Sequence, residues 1–234
     1  PVVKLWDSKK PVGIIPSLAI HMNREANEKN AIKVQSQMLP LIGSELIGKK
    51  KDEHEAKDYF MEYLAKELSC KAEDILDYDL YFYNTESPTT VGILDEYLMS
   101  PKLDNLTSCY SIVKGLCTAK ESEHMIVTAL FDNEEIGSRT KQGADSLLFR
   151  ELLERIMSAK KEKKTLATFL KNGFLLSLDV AHGCHPNYEE KSDPTTITKL
   201  GGGVVIKASS TGKYSGDCES MAMLLGLCKE KKIK

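Results

Sequence analysis

The six cysteines (Cys70, Cys109, Cys117, Cys184, Cys218 and Cys228) include no C-x-x-C pair and lack the close spacing of a small secreted domain. That argues against a disulfide framework and suits reduced, mostly buried thiols in a cytosolic protein. No apolar run is long enough to span a membrane, and no signal peptide opens the sequence. An excess of charge of one sign is missing too: the net charge is −2 and the lysines are scattered, so nothing favours nucleic acid. There is no internal repeat and no low-complexity segment. An initiator methionine is also lacking. The chain opens on Pro1, inside the strand-like Val2–Trp6, and stops at Lys234 just after an amphipathic helical pattern, so the expectation is a portion of a longer protein.

What is present suffices for folding: 234 residues, 41% of them hydrophobic, allow one large domain or two smaller ones. The most informative stretch is Phe131-Asp132-Asn133-Glu134-Glu135-Ile136-Gly137-Ser138. It follows Met125–Phe131, an apolar run that reads as a buried strand. In α/β proteins ligands sit at the carboxyl ends of strands. Two adjacent glutamates repel each other there, and a cation is the simplest compensation. One can ligate a metal while the other takes the proton from a metal-bound water. A bare Glu-Glu pair is more often a solvated acidic turn, so the flanking sequence has to decide.

Residues 1–92 mix short strands (2–6, 38–43, 79–83) with one helix at Ala56–Leu68, whose stripe is Tyr59, Phe60, Tyr63, Leu64 and Leu68. Lys49–Glu55 reads as a solvated charge run. From residue 93 strands and helices alternate: a helix through Leu106, Tyr110, Val113 and Leu116, the strand ending in the acidic stretch, and a helix over Ser146–Lys160. A strand at Phe174–Leu178, another at Gly203–Lys207 and a helix over Gly216–Cys228 complete the series. Such alternation predicts a sheet covered on both faces. Acidic residues recur at element edges: Asp104 before a helix, Glu134 and Glu135 after one strand, Asp179 after another. Carboxylates gathered at one edge can hold two divalent ions about 3.5–4 Å apart, although nothing local in the sequence forces them together.

Three ordered segments, Pro101–Leu106, Phe131–Ser138 and Asp179-Val180-Ala181-His182-Gly183-Cys184-His185-Pro186-Asn187-Tyr188, resemble motifs of the aspartyl aminopeptidase and vacuolar aminopeptidase I family of dinuclear zinc exopeptidases. Ser17–Arg24 and Val205-Ile206-Lys207 are similar as well, so the resemblance spans nearly the whole chain.

The resemblance implies an α/β zinc-exopeptidase-like catalytic domain at 93–234, with helices on both faces of a mixed sheet and its C-terminus incomplete. A smaller, inserted β-rich dimerisation domain at 1–92 would lack its N-terminal part. It implies two Zn²⁺ ions per subunit: Asp104 bridging both, Glu135 on one, Asp179 on the other, and Glu134 as general base. Carboxylate-rich sites also accept Mn²⁺ or Co²⁺. The family adds one histidine upstream and one near its C-terminus, and none of the five histidines here stands at those places.

By resemblance Lys207 and Tyr214 line the pocket for the substrate side chain. His182 and His185 contact substrate or support the ligands, against the plain reading of hydrogen-bonding histidines beside a site. His21, otherwise an ordinary turn histidine, would reach a neighbouring subunit's active site. The implied protein is a cytoplasmic metallo-aminopeptidase that removes N-terminal residues from peptides. Asp and Glu are the expected targets, with neutral apolar residues or a catalytically silent scaffold as alternatives. It would self-associate into dimers and a larger homo-oligomer, a dodecamer by resemblance, with no nucleic acid or membrane partner.

Overall fold

The computed structural model describes residues 1–29, 31–43 and 53–234, the side chains of 53–58 excepted. Residues 49–52 of the expected charge run fall outside them. The chain divides into two compact units, Pro1–Ser100 and Pro101–Lys234.

In the first unit a short turn of helix, α1 (Val34–Gln37), precedes the long α2 (Glu53–Leu68). The expected stripe of α2 is largely the face that packs: Leu64 and Ala65 are buried, while Tyr59 points to solvent. Trp6 meets Tyr63 edge-on at 6.1 Å between ring centroids, and Phe60 meets Tyr78 at 6.0 Å. The N-terminal segment also closes the helix end. Lys4 Nζ donates to the Leu68 carbonyl at 2.8 Å, satisfying one of the acceptors that a C-terminus leaves open. Ile14 and Leu41 exchange two backbone hydrogen bonds of 3.0 and 2.7 Å. Two strands, β1 (Thr89–Val91) and β2 (Tyr97–Met99), pair antiparallel with Thr90 opposite Leu98.

The second unit carries α3 (Leu103–Thr118), α4 (Leu148–Ala159), α5 (Leu166–Lys171) and α6 (Cys218–Lys231). α4 is amphipathic and buries Leu153 and Met157, one turn apart on the same face. Thr165 caps α5 by accepting from the Thr168 N–H. Asp217 and Ser220 form a reciprocal capping box on α6. Phe131 packs edge-on against Phe149 of α4 at 5.4 Å, which ties the approach to the acidic stretch to a helix.

Three expectations require correction. Among the described residues, the segments expected as strands at 2–6, 79–83, 125–131, 174–178 and 203–207 join no ladder, and β1 and β2 make a two-stranded sheet apart from them. The mixed sheet between helices and the β-rich first domain are thus not what the described chain shows. An apolar run marks a segment that gains by burial, but its pairing partner is a non-local choice that periodicity does not encode. Ile126 and Leu130, for example, remain 50% and 53% exposed. The cysteines are all free, as expected, but none is buried: Cys117 and Cys218 are exposed and the other four are half-buried. Among the described residues no helix is long and apolar enough to cross a membrane.

Candidate active site

α3 begins irregularly. Asp104 (φ −86°, ψ 112°) and Asn105 (φ −117°, ψ 24°) depart from helical geometry, and regular helix starts after them. The departure leaves the Asn105 amide free to donate from Nδ2 to Asp179 Oδ1 at 3.2 Å, across 74 residues of sequence. Asp179 is the hub of the unit's polar contacts. Its Oδ1 also accepts from the Val180 N–H at 2.8 Å, and its Oδ2 accepts from Lys207 Nζ at 2.7 Å. Lys207 donates further to the Val180 carbonyl at 3.0 Å and stands 6.0 Å from the centre of the Tyr214 ring. The hydrogen bond from Lys207 holds the Asp179 carboxyl below the usual carboxylate range; burial opposes it, and the Val180 N–H adds a lesser lowering. The pair is only partly shielded, with side-chain exposures of 27% for Lys207 and 53% for Asp179. Such a pair is worth at most about 1 kcal/mol. Its importance is positional.

A cavity of about 310 Å³ opens beside this hub, lined in part by Thr107, Ser111, Asp179, His182, Leu200 and Val205. Thr198 donates from its hydroxyl to the His182 carbonyl at 2.6 Å, fixing the backbone on the cavity wall. His185 has local work: its Nδ1 accepts from the Asn187 N–H at 3.1 Å, and its ring lies 5.1 Å from that of Tyr188. This matches the plain reading of a hydrogen-bonding histidine.

Glu134 and Glu135 sit on a single turn, Glu134–Ile136, and both are exposed. The turn lies between two residues in the left-handed region, Asn133 (φ 62°) and Gly137 (φ 98°). Asparagine tolerates that region and glycine enters it without strain, so the sequence Asn-Glu-Glu-Ile-Gly suits the geometry. His21 lies in the first unit, on the exposed turn Ile20–Met22.

The structure therefore joins Asp179, Lys207 and Tyr214, sets His182 on the adjoining cavity, and reaches Asp104 through its neighbour Asn105. It does not gather the whole expected ligand set. Among the described residues no three His, Cys, Asp or Glu side chains stand close enough to hold a metal ion. The donor types suit zinc, but among the described residues their spacing does not close a site. Sequence reasoning passed over Asn105 as a functional residue. Its one signal was adjacency to Asp104, with an amide able to bridge carboxylates.

Residues 2–234 match the model of a family described as aminopeptidase I zinc metalloprotease (M18). A curated protein of Clostridium acetobutylicum, "Probable M18 family aminopeptidase 2", is 41% identical over 230 residues, covering 98% of this chain and 52% of its own length. The crystal structure of an M18-family aminopeptidase from Thermotoga maritima superposes with a TM-score of 0.75 at 26% identity, over 97% of this chain and 52% of that one. The S. cerevisiae mApe1 dodecamer gives 0.72 at 26% identity, over 96% and 50%. These scores carry the α/β family fold beyond what the local pairing displays. The chain spans about half the length of the curated relatives it matches.

Proposed function

The chain belongs to the aminopeptidase I zinc metalloprotease (M18) family, and from that membership we propose that the whole protein is a zinc-dependent aminopeptidase acting on peptides. The observation that carries the reading is the bond from Asn105 to Asp179, which links the segment of Asp104 to the third acidic motif. Asp104, Glu135 and Asp179 are the proposed carboxylate donors. Closing the set requires their segments to approach more nearly and donors beyond these three. Glu134, exposed on its turn, takes a proton from the attacking water and returns it to the leaving amine.

For the substrate we favour a neutral N-terminal residue over Asp or Glu. Lys207, expected to read an acidic side chain, already donates to Asp179 and to the Val180 carbonyl. Leu200, Val204 and Val205 offer apolar surface in the cavity beside it. His182 lines the same space, Tyr214 stands beside Lys207, and His185 supports its loop.

Self-association into a homo-oligomer is proposed from the dodecameric structural relative, with His21 serving a neighbouring subunit. The six free thiols support a reducing, cytoplasmic setting.

The test is an assay of the full-length protein, with zinc and with chelator, on a panel of aminoacyl amides. Activity on leucyl above aspartyl substrates is expected. Glu134→Gln should lower kcat by about 10²–10⁴-fold while zinc content, read by metal analysis, stays unchanged. A folded wild type inactive on every substrate would favour the silent scaffold.

A further inference from the structure

The turn that bears the two glutamates is held from outside by a threonine. Asn133 Oδ1 accepts from the Thr140 hydroxyl at 2.7 Å, and both residues are half-buried, whereas Glu134 and Glu135 are exposed. Backbone bonds close the same loop around this contact. The Asp132 N–H donates to the Gln142 carbonyl at 3.3 Å, Ser138 N–H to Asn133 at 2.9 Å, and Asp145 N–H to Ser138 at 3.1 Å. Gly143 is buried against Ser138, and a Cβ there would collide with the Ser138 carbonyl, so residues 138 and 143 can approach only with glycine at 143. Inside this frame the orientation of the Glu134–Ile136 turn depends on Asn133. Its left-handed φ of 62° sets the direction in which the chain enters the turn. Most residue types adopt that region at a cost, and the Thr140 hydroxyl pins the side chain of the residue that holds it at the entry to the turn.

We propose that Thr140 is a positioning residue for the acidic pair: through Asn133 it fixes the turn that presents Glu134 and Glu135. The inference rests on the reading of Glu134 as proton acceptor, and it adds a residue outside the three acidic motifs. Proton transfer requires the acceptor within hydrogen-bond reach of the water, so a turn that samples several orientations lowers the reactive fraction while substrate binding persists.

The experiment uses the full-length protein and leucyl p-nitroanilide. Thr140→Val keeps the shape and removes the donor, Thr140→Ser keeps the donor, and Asn133→Gly keeps access to the left-handed region and removes the acceptor. Loss of one hydrogen bond of ordinary strength corresponds to about a threefold to tenfold change. Thr140→Val should lower kcat by about that factor with KM little changed, and Thr140→Ser should restore it. The double variant Thr140→Val with Asn133→Gly should be no worse than the poorer single variant, because both remove the same contact.

Amide exchange read by mass spectrometry supplies a measure apart from activity. Peptides covering 132–138 should exchange faster in Thr140→Val than in Thr140→Ser, while α4 stays unchanged. Equal kcat in Thr140→Val and wild type, or equal loss in the Val and Ser variants, would overturn the proposal, as would unchanged exchange over 132–138. A wild type inactive on all aminoacyl amides would remove the proposed function instead, and the exchange comparison would then decide alone whether Thr140 holds the turn.

Discussion

Lys207 shows how one side chain changes meaning once its partners are known. Alone at the end of an apolar run it looks like a cation waiting for a substrate carboxylate. In the folded unit its ammonium is bonded to Asp179 and Val180 and faces the Tyr214 ring. A group so engaged orients Asp179 more than it selects substrates. Lys207→Met should therefore lower kcat/KM on leucyl and aspartyl amides by the same factor, no more than about fivefold for a partly exposed pair. A selective loss of about ten- to a hundredfold on the aspartyl and glutamyl amides alone would return the lysine to substrate recognition. Asp179 is already ionised through the neutral range, because its folded carboxyl lies below the ordinary value of 3.8. The contrast between the two outcomes can therefore be read at neutral pH.

At the scale of elements, the helices are held by local chemistry that a sequence states openly. α6 starts at a capping box in which Asp217 Oδ1 accepts from the Ser220 N–H at 2.8 Å and from its hydroxyl at 2.7 Å. The Ser220 backbone donor, followed by its hydroxyl, lowers the Asp217 carboxyl below the ordinary 3.8. A depressed folded value means the ionised cap stabilises the helix above the unfolded value. That stability is lost as pH falls through 3.8 towards the folded value. Asparagine caps about as well but does not titrate. The thermal midpoint of wild type relative to Asp217→Asn should thus be constant from pH 7 to about 5 and then fall as acid is added. A difference independent of pH would show that the carboxylate does not act as the cap. α4 is legible for another reason: Leu153 and Met157 fall on one face at helical spacing. The acidic turn was legible as chemistry but not as geometry, since the contact of Asn133 with Thr140 is invisible in spacing alone.

At the scale of the whole molecule, His21 lies in the first unit and Glu134 in the second. If the proposed assembly uses His21 across a subunit boundary, two inactive variants should complement each other. Mixing Glu134→Gln subunits with His21→Ala subunits should restore part of the activity, because some sites then receive an intact residue from each protein. Oligomers shown to be mixed yet still inactive would confine His21 to its own subunit.

Read by itself, the sequence determined the helices now labelled α2, α3, α4 and α6, the acidic motifs and the kinship they imply. Periodicity of 3.6 residues and short contiguous motifs are properties of neighbours in the chain. Only the tertiary structure decided that Asn105 and Lys207, 74 and 28 residues from Asp179, meet on its carboxylate. It also decided that the apolar runs at 125–131 and 174–178 stay outside the paired strands β1 and β2. Strand pairing and charge pairing both join residues remote in sequence. Their free energy depends on which surfaces packing brings together, and no local pattern encodes that choice.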